Sequence, residues 1–150
     1  MKAKKELKKE LNQLSKMTKQ EIDSFLKKPL IAIITTIRPD GTTHMTPVWH
    51  LYDSNKIIVA SEKTSVKIKN IMQNSNVGIC VCQSDTSHKY VQISGMAKLH
   101  SQNIKEIVET MSISYRGKED GQKYSKEALE KIDFIIIEIT PKTIFGENIA

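Results

Sequence analysis

Four residues at the start of a short predicted helix have the types and spacing of an anion-binding site. They are Lys63, Thr64, Ser65 and Lys67. Ser65 or Thr64 can cap the helix, whose first backbone N–H groups have no partner within the helix itself. Lys67 is unfavourable for the helix dipole at this end, but a bound anion would satisfy the amides, the hydroxyls and the ammonium together. The spacing therefore predicts a phosphate site, and the alternative is an ordinary capped helix with solvated lysines.

A second group of residues indicates what the phosphate could be attached to. The predicted strand before the helix carries Thr46, Pro47, Val48 and Trp49. Pro47 cannot donate a hydrogen bond to a neighbouring strand, so it belongs at a sheet edge, at a bulge or where something other than a strand approaches. Trp49, the only tryptophan, is either a core anchor or a wall for a planar heterocycle. Together the two groups predict a cofactor with a phosphate and a flat ring, which would itself supply the chemistry.

Other kinds of active site lack the residues that they need. His44 and His50 lie on one predicted strand and are about 20 Å apart at the usual rise, too far to share a metal ion. Cys80 and Cys82 alternate with apolar residues and are predicted to be buried free thiols, since no further cysteine completes a zinc site and near neighbours on a strand pair poorly. The sequence has no Gly-x-Ser-x-Gly turn for a nucleophilic serine.

The elements that must position these residues are mostly strands. The apolar patterns predict strands over 30–37, 42–52, 56–61, 77–82, 90–100 and 134–139. Helices are expected at 65–74, from 104 to 111 and at 125–131, whereas 116–122 and 141–150 are expected to be irregular. Six strands with few helices between them predict a mainly β protein with flanking helices (α+β), built on an antiparallel barrel.

A basic segment precedes the strands. Residues 1–28 contain nine lysines and four acidic residues, a net charge of +5 out of +6 for the whole chain. We expect this segment to be a helical arm, followed by one cofactor-binding domain over 29–150. A solvated lysine face is the favoured explanation of the charge and an anionic partner the alternative, while nucleic acid is not expected because aromatic residues are not interleaved.

Three sequence features support helices in the arm. Thr18 followed by Glu21 has the spacing of a capping box, and Pro29 ends the second helix. An apolar stripe at helical spacing marks the first helix, formed by Leu7, Leu11 and Leu14. No apolar signal core follows the first lysines and no apolar run is long enough to cross a membrane, which predicts a cytoplasmic protein without a membrane partner.

The order of these pieces resembles the FMN-binding split-barrel superfamily, which includes pyridoxamine-phosphate oxidase and the deazaflavin-dependent reductases. The resemblance spans about residues 30–99 and extends more weakly to residue 139. It is carried by Pro39-Asp40-Gly41, Thr46-Pro47-Val48-Trp49, Ser61 with Ser65-Val66-Lys67-Ile68-Lys69-Asn70-Ile71, and Tyr90-Val91-Gln92-Ile93-Ser94-Gly95-Met96-Ala97. It implies a six-stranded antiparallel split barrel that forms a homodimer, with the cofactor at the dimer interface.

The resemblance also implies roles for single residues. The strand from Thr46 to Trp49 would contact the isoalloxazine ring, largely through its main chain. Ser61, Ser65 and Lys67 match positions that hold the cofactor phosphate. Tyr90 matches a glutamine that contacts the ring in the oxidase.

Two other positions depart from the oxidase. Met45 and Val66 stand where it has phosphate-binding arginines, so pyridoxamine-phosphate oxidase activity is not expected. Two segments are candidates to close the pocket, Tyr115-Arg116 and Ile144-Phe145-Gly146, and plain surface loops are the alternative.

The implied function is a flavin oxidoreductase that uses FMN and passes a hydride or electrons to an unknown small-molecule substrate. One alternative is a reductase that uses the deazaflavin coenzyme (F-420), whose acidic oligoglutamate tail the basic arm could attract. Another is a non-catalytic protein that binds the cofactor without turnover. A third, from a different class, is a polyanion-binding module that depends on residues 1–28.

Overall fold

The computed structural model describes residues 1–85 and 88–148, with residues 11–15 described by their backbone alone. Its helices are α1 (Lys2–Ser15), α2 (Lys19–Leu26), α3 (Val66–Gln73), α4 (Ile104–Arg116) and α5 (Lys118–Lys131). Its strands are β1 (Ala32–Ile37), β2 (Thr43–Val48), β3 (Leu51–Asp53), β4 (Lys56–Glu62), β5 (Asn76–Cys82), β6 (Lys89–His100) and β7 (Phe134–Asn148). The mainly β architecture with flanking helices confirms the predicted fold class.

The strands form one antiparallel sheet in the order β2-β1-β5-β6-β7-β4-β3. The described chain thus has seven strands, where six were predicted, because the expected strand 42–52 is interrupted at Trp49 and His50. β2 pairs with β1 at one end of the sheet, and β3 pairs with β4 at the other. Only Trp49 and His50 separate the two edge strands in sequence, so the sheet must curl until its edges meet, which makes the split barrel.

The core lies inside this curl. Alternate residues of the strands face inward, as in β1, where Ala32 and Ile34 are buried. α2 and α3 cover the same core with Phe25 and Leu26 from one helix and Ile68 and Ile71 from the other. The period-2 strands and the apolar helix faces therefore meet in one cluster, as their patterns require.

Two segments predicted to be irregular are regular. α5 begins at Lys118 and covers most of 116–122, which was predicted as a loop because its first turns are charged and contain glycines. Gly117, with φ +85°, separates α4 from α5, and Gly121 lies where the two helices cross most closely. The close crossing stabilises a helix whose sequence alone is a weak helix former.

The tail was also predicted wrongly, since β7 continues to Asn148 through residues 141–148. β6 is long enough to pair with it along this whole stretch, with a bulge between Ser94 and Gly95. At Gly95 a Cβ atom would stand 2.4 Å from the carbonyl oxygen of Thr140, so the bulge admits only glycine without a shift of backbone. A partner strand distant in sequence thus overrides the weak local pattern.

The two cysteines are free, as predicted, but they are not buried. Cys80 is partly exposed and Cys82 is exposed, because the inward positions of β5 are taken by Val77, Ile79 and Val81. Within the described residues no three histidine, cysteine or acidic side chains gather as a metal site would require.

The N-terminal segment is helical and is anchored at its end. Residues 2–10 of α1 are exposed, while the side chains of Leu11 and Leu14 lie outside what is described. The amide of Met17 donates to the carbonyl of Gly146 at 2.8 Å, and Lys16 forms a bridge with Glu147. None of the helices in the described ranges has the length and apolar character needed to span a bilayer.

Thr18→Ala is expected to lower the free energy of unfolding by about 1 kcal/mol, because it removes a helix cap. The Oγ1 of Thr18 accepts from the amide of Glu21 at 3.2 Å, and the carboxylate of Glu21 accepts from the amide of Thr18, which confirms the predicted capping box. Urea unfolding of the variant checks this value. Thr18→Ser keeps the cap and should stay near the wild type; an equal loss in both variants would contradict the assignment.

Candidate functional site

A cavity of about 220 Å³ lies beside the start of α3, between the sheet and the α4–α5 pair. Its lining residues are Pro47, Val48, Trp49, Ala60, Ser61, Glu62, Lys67, Val108, Met111, Ser112, Tyr124 and Phe134. The first three come from the end of β2 and the residue after it, and the next three from the end of β4. Five of the residues predicted from sequence therefore meet at one cavity, namely Pro47, Val48, Trp49, Ser61 and Lys67.

The start of α3, from which Lys67 lines the cavity, has backbone donors without a side-chain cap. Ser65 is the N-cap residue, but its side chain makes no capping hydrogen bond, contrary to one of the predicted capping choices. Its Oγ lies 2.9 Å from the Oγ of Ser61, which in turn donates to the carbonyl of Glu62 at 3.2 Å. The first amides of the helix, which have no partner within it, are therefore left without the side-chain cap that Ser65 could give. Thr64 lies exposed in the turn before the helix.

Lys67 is the positive charge of the cavity. Its side chain is half-buried, and burial lowers the pKa of its ammonium, an effect that the nearby charge of Glu62 partly offsets. No carboxylate within the described residues lies close enough to Lys67 to form a salt bridge. A partly desolvated cation beside uncapped helix amides favours an anion, which would compensate for both.

β2 offers the cavity a free edge. It has one neighbour in the sheet, β1, so the backbone groups on its other side are not used by strand pairing. Pro47 lies on this edge strand, as predicted. The Oγ1 of Thr46 is buried without a hydrogen-bond partner among the described residues. Thr46 does not line the cavity, although Pro47 and Val48, the next two residues of the predicted ring-binding strand, do.

Trp49 is held by aromatic residues of the helix pair. Its ring stacks on that of Tyr115, with centroids 4.9 Å apart and planes 10° from parallel. The ring of Tyr124 lies 5.6 Å away at a tilt of 54°, and the guanidinium of Arg116 lies 4.4 Å from the centre of Tyr124. Tyr115 and Arg116 are thus the last residues of a helix and not a loop. Trp49 serves both as a packed anchor and as part of the cavity wall.

Tyr90 lies away from this cavity in the single chain. Its hydroxyl donates to the carboxylate of Glu147 at 2.8 Å, and its ring lies 6.2 Å from that of Phe145. Ile144 and Phe145 are exposed, and Gly146 packs against Met17. Neither Tyr90 nor the tail segment 144–146 closes the cavity within one subunit.

The far wall of the cavity was not predicted. It consists of Val108, Met111 and Ser112 from α4, Tyr124 from α5 and Phe134 from β7. The Oγ of Ser112 donates to the carbonyl of Val108 at 2.7 Å, so its hydrogen is already used within the helix. The helical spacing of Val108 and Met111 indicates an apolar face, but only the fold shows that this face looks toward Trp49.

The outer face of the sheet is uncovered and partly apolar. The pairing registers place five outward residues in one row across five strands: Pro47, Ile33, Cys80, Gln92 and Phe145. Met45, on the same face of the edge strand, is 64% exposed. The described outer face thus combines exposed apolar residues, Met45 and Phe145, with the polar Gln92.

His50, the residue after Trp49, is buried and predicts a pH dependence of stability. Burial lowers its pKa below the usual 6.5, although a hydrogen bond from Nε2 to the carbonyl of Leu26 works in the other direction. The unfolded chain then takes up a proton near its ordinary pKa before the folded protein does, so stability is full above that pH and falls as the pH drops below it. Urea unfolding at about pH 7.5 and about pH 5.5 should show this loss.

The control for this pH dependence is His50→Gln. It removes the ionisable ring, so its free energy of unfolding should change less between the two pH values. Asp23 and Asp40, whose pKa values are lowered from 3.8 by hydrogen bonds from Tyr52 and Thr42, contribute only at more acidic pH. Equal slopes in the wild type and the variant would contradict the role given to His50.

Comparison with known proteins agrees with this architecture. The model of the pyridoxamine 5'-phosphate oxidase family matches residues 18–147. A solved structure described as "F420 Reductase" superposes with a TM-score of 0.66 and 22% identity, over 81% of this chain and 94% of that one. A conserved hypothetical protein from Mycobacterium tuberculosis gives a TM-score of 0.72 and 20% identity, over 88% of this chain and 85% of that one.

A third structure widens the range of functions found on this fold. The heme storage protein HutZ from Vibrio cholerae gives a TM-score of 0.69 and 13% identity, over 86% of this chain and 94% of that one. Among curated proteins, none matches the sequence significantly. At these identities the solved structures establish the fold and not the function.

Proposed function

The chain belongs to the pyridoxamine 5'-phosphate oxidase family, and we propose that it binds FMN at the cavity beside α3 and acts as a flavin oxidoreductase on a small molecule. The observation that carries the proposal is Lys67, a half-buried ammonium at the cavity without a salt-bridge partner among the described residues. The uncapped amides of α3 and the hydroxyl pair of Ser61 and Ser65 stand beside it. Hydrogen-bond donors and a cation are the groups that bind a phosphate, so these residues fit the phosphate of FMN.

Each part of the site would have one task. Lys67, Ser61, Ser65 and the first amides of α3 would hold the phosphate. The free edge of β2 at Pro47 and Val48, and the ring of Trp49, would orient the heterocycle. Bound FMN would supply hydride or electron transfer at its ring, while the apolar residues of α4 exclude water from the cavity.

The size of the cavity supports a site shared between two subunits. At about 220 Å³ it is smaller than the roughly 300–1,000 Å³ of most ligand pockets. We propose that a second copy of the chain covers the outer sheet face and completes the site. Tyr90 and Phe145, which lie on strands of that face and away from the cavity of their own subunit, are our candidates to reach the cavity of the partner.

A deazaflavin coenzyme is the second candidate cofactor. A structural neighbour is described as an F420 reductase, and the lysines of α1 are exposed, where they can attract an acidic tail. Its phosphate would use the same cavity, so both candidates predict the same protein ligands. Only direct binding distinguishes them.

The test is a titration of the purified protein with FMN and, separately, with the deazaflavin coenzyme. Trp49 is the only tryptophan, so no other tryptophan contributes to the fluorescence that reports on the cavity. We expect one cofactor to quench it at micromolar concentration, and sedimentation to show a dimer. Turnover with a nicotinamide donor then distinguishes an oxidoreductase from a protein that only binds the cofactor. Absence of quenching with both compounds would overturn the proposal.

A further inference from the structure

We infer that Tyr115 and His50 act as a pair of positioning residues that fix Trp49 in the wall of the cavity. The inference rests on the proposed function, because the position of Trp49 affects function through its place in the wall of a cofactor site. Its structural basis is a set of hydrogen bonds that join three separate segments of the chain immediately beside Trp49.

The hydroxyl of Tyr115 is the centre of these bonds. It donates to the carbonyl of Leu30 at 2.6 Å and accepts from the backbone amide of His50 at 3.1 Å. It also lies 3.1 Å from Nδ1 of the His50 ring. One hydroxyl therefore connects α4, the segment before β1 and the two-residue link between β2 and β3.

The imidazole of His50 extends the connection to α2. Its Nε2 lies 2.8 Å from the carbonyl of Leu26, which can only accept, so Nε2 carries the hydrogen. In the neutral ring Nδ1 is then an acceptor, so it competes with the carbonyl of Leu30 for the single hydrogen of the Tyr115 hydroxyl, and the shorter contact favours Leu30. The side chain of His50 is buried, and its two nitrogens lie within hydrogen-bond distance of Leu26 and Tyr115, so it is not available to a ligand.

Tyr115 acts on Trp49 in two ways at once. Its ring stacks on the indole, and its hydroxyl holds the amide of the next residue along the chain. The link between β2 and β3 has no strand pairing of its own, since it lies where the sheet is split. Without this clamp the backbone of the link would be held only by packing and by the bond from the His50 ring to Leu26, so the indole would be freer to leave the cavity wall.

The test is Tyr115→Phe, which keeps the stacked ring and removes the hydroxyl. We expect the emission of Trp49 to shift to the red and its quenching by acrylamide to increase, both measured without cofactor. We expect the affinity for the cofactor that the wild type binds to fall roughly tenfold, because binding must then also hold the freed indole in the wall, at a cost comparable with one hydrogen bond.

Tyr52→Phe is the matched control. It also removes a hydroxyl with a hydrogen bond of 2.6 Å, to Asp23, and it lies three residues from Trp49 outside the cavity. It should leave the emission, the acrylamide quenching and the cofactor affinity as in the wild type. Unchanged emission and affinity in folded Tyr115→Phe would overturn the inference, as would identical changes in both variants.

A measurement on the unaltered protein covers the case in which Tyr115→Phe does not fold. The amide of His50 has a side-chain hydroxyl as its partner, so its hydrogen exchange should be slow if the clamp persists in solution. Exchange at the rate of an open loop would overturn the inference. Failure of the wild type to bind any cofactor would instead remove the proposed function, while the results for Trp49 emission would still stand.

Discussion

Lys67→Ala is expected to weaken cofactor binding by about 100-fold, since a hydrogen bond to a charged group contributes about 1.5–3 kcal/mol. Its free energy of unfolding should not fall, and a small gain is expected. The ammonium is partly desolvated without a salt bridge among the described residues, and it stands at the wrong end of the dipole of α3. Loss of affinity with no loss of stability is the signature of a residue that serves a ligand.

Lys69→Ala is the control for this experiment. Lys69 lies on the same helix, is exposed and does not line the cavity. It changes the net charge by the same amount, so any general electrostatic effect on an anionic cofactor appears in both variants. Fluorescence titration and urea unfolding are measured for each. Similar affinities for Lys67→Ala and Lys69→Ala would show that Lys67 makes no direct contact with the phosphate.

Gly121→Ala is expected to lower the free energy of unfolding by about 3 kcal/mol, the upper range for overpacking. A Cβ atom at Gly121 would stand 2.5 Å from the Cα and 2.6 Å from the amide nitrogen of Ile113, so the α4 and α5 backbones must separate. The favourable helix propensity of alanine, about 1 kcal/mol, is too small to compensate. Because the two helices carry Met111, Tyr115 and Tyr124, their separation should also reduce cofactor affinity.

Gly78→Ala tests whether the effect is specific to the helix crossing. At Gly78 a Cβ atom would make ordinary contacts, the nearest being 3.7 Å to Thr35. Its free energy of unfolding should change by less than about 1 kcal/mol. A small effect of Gly121→Ala, comparable with that of Gly78→Ala, would mean that α4 and α5 are not packed as closely as described.

Interactions that act over a few residues can be predicted from the sequence, whereas those that depend on the whole fold cannot. The start of α3 and the edge position of Pro47 were predictable, because a proline, a set of hydroxyl residues and an apolar helix face each act over a few residues. The pairing of Ser61 with Ser65, in place of a helix cap, was not predictable, because it depends on how the end of β4 approaches the helix. The number of strands was wrong for a related reason, since the split at Trp49 follows from the curl of the whole sheet.

The far wall of the cavity could not be predicted from local sequence patterns. α5 begins with charged residues and contains Gly121. This pattern predicts a loop unless the packing of the helix on α4 is known. Tyr115 lies 66 residues from Trp49 in the chain, and its two bonds to the backbone connect elements that no short motif relates. Contacts of this kind are fixed by tertiary packing, which can override local propensity.

The most direct test of the central claim compares FMN with riboflavin, which has the same ring and no phosphate, and the deazaflavin coenzyme with its phosphate-free analogue. If the start of α3 and Lys67 hold a phosphate, the phosphorylated member of the pair that binds should bind about 100-fold more tightly, and Lys67→Ala should abolish most of this difference. Equal affinities within both pairs, or a preference that Lys67→Ala leaves intact, would contradict the account.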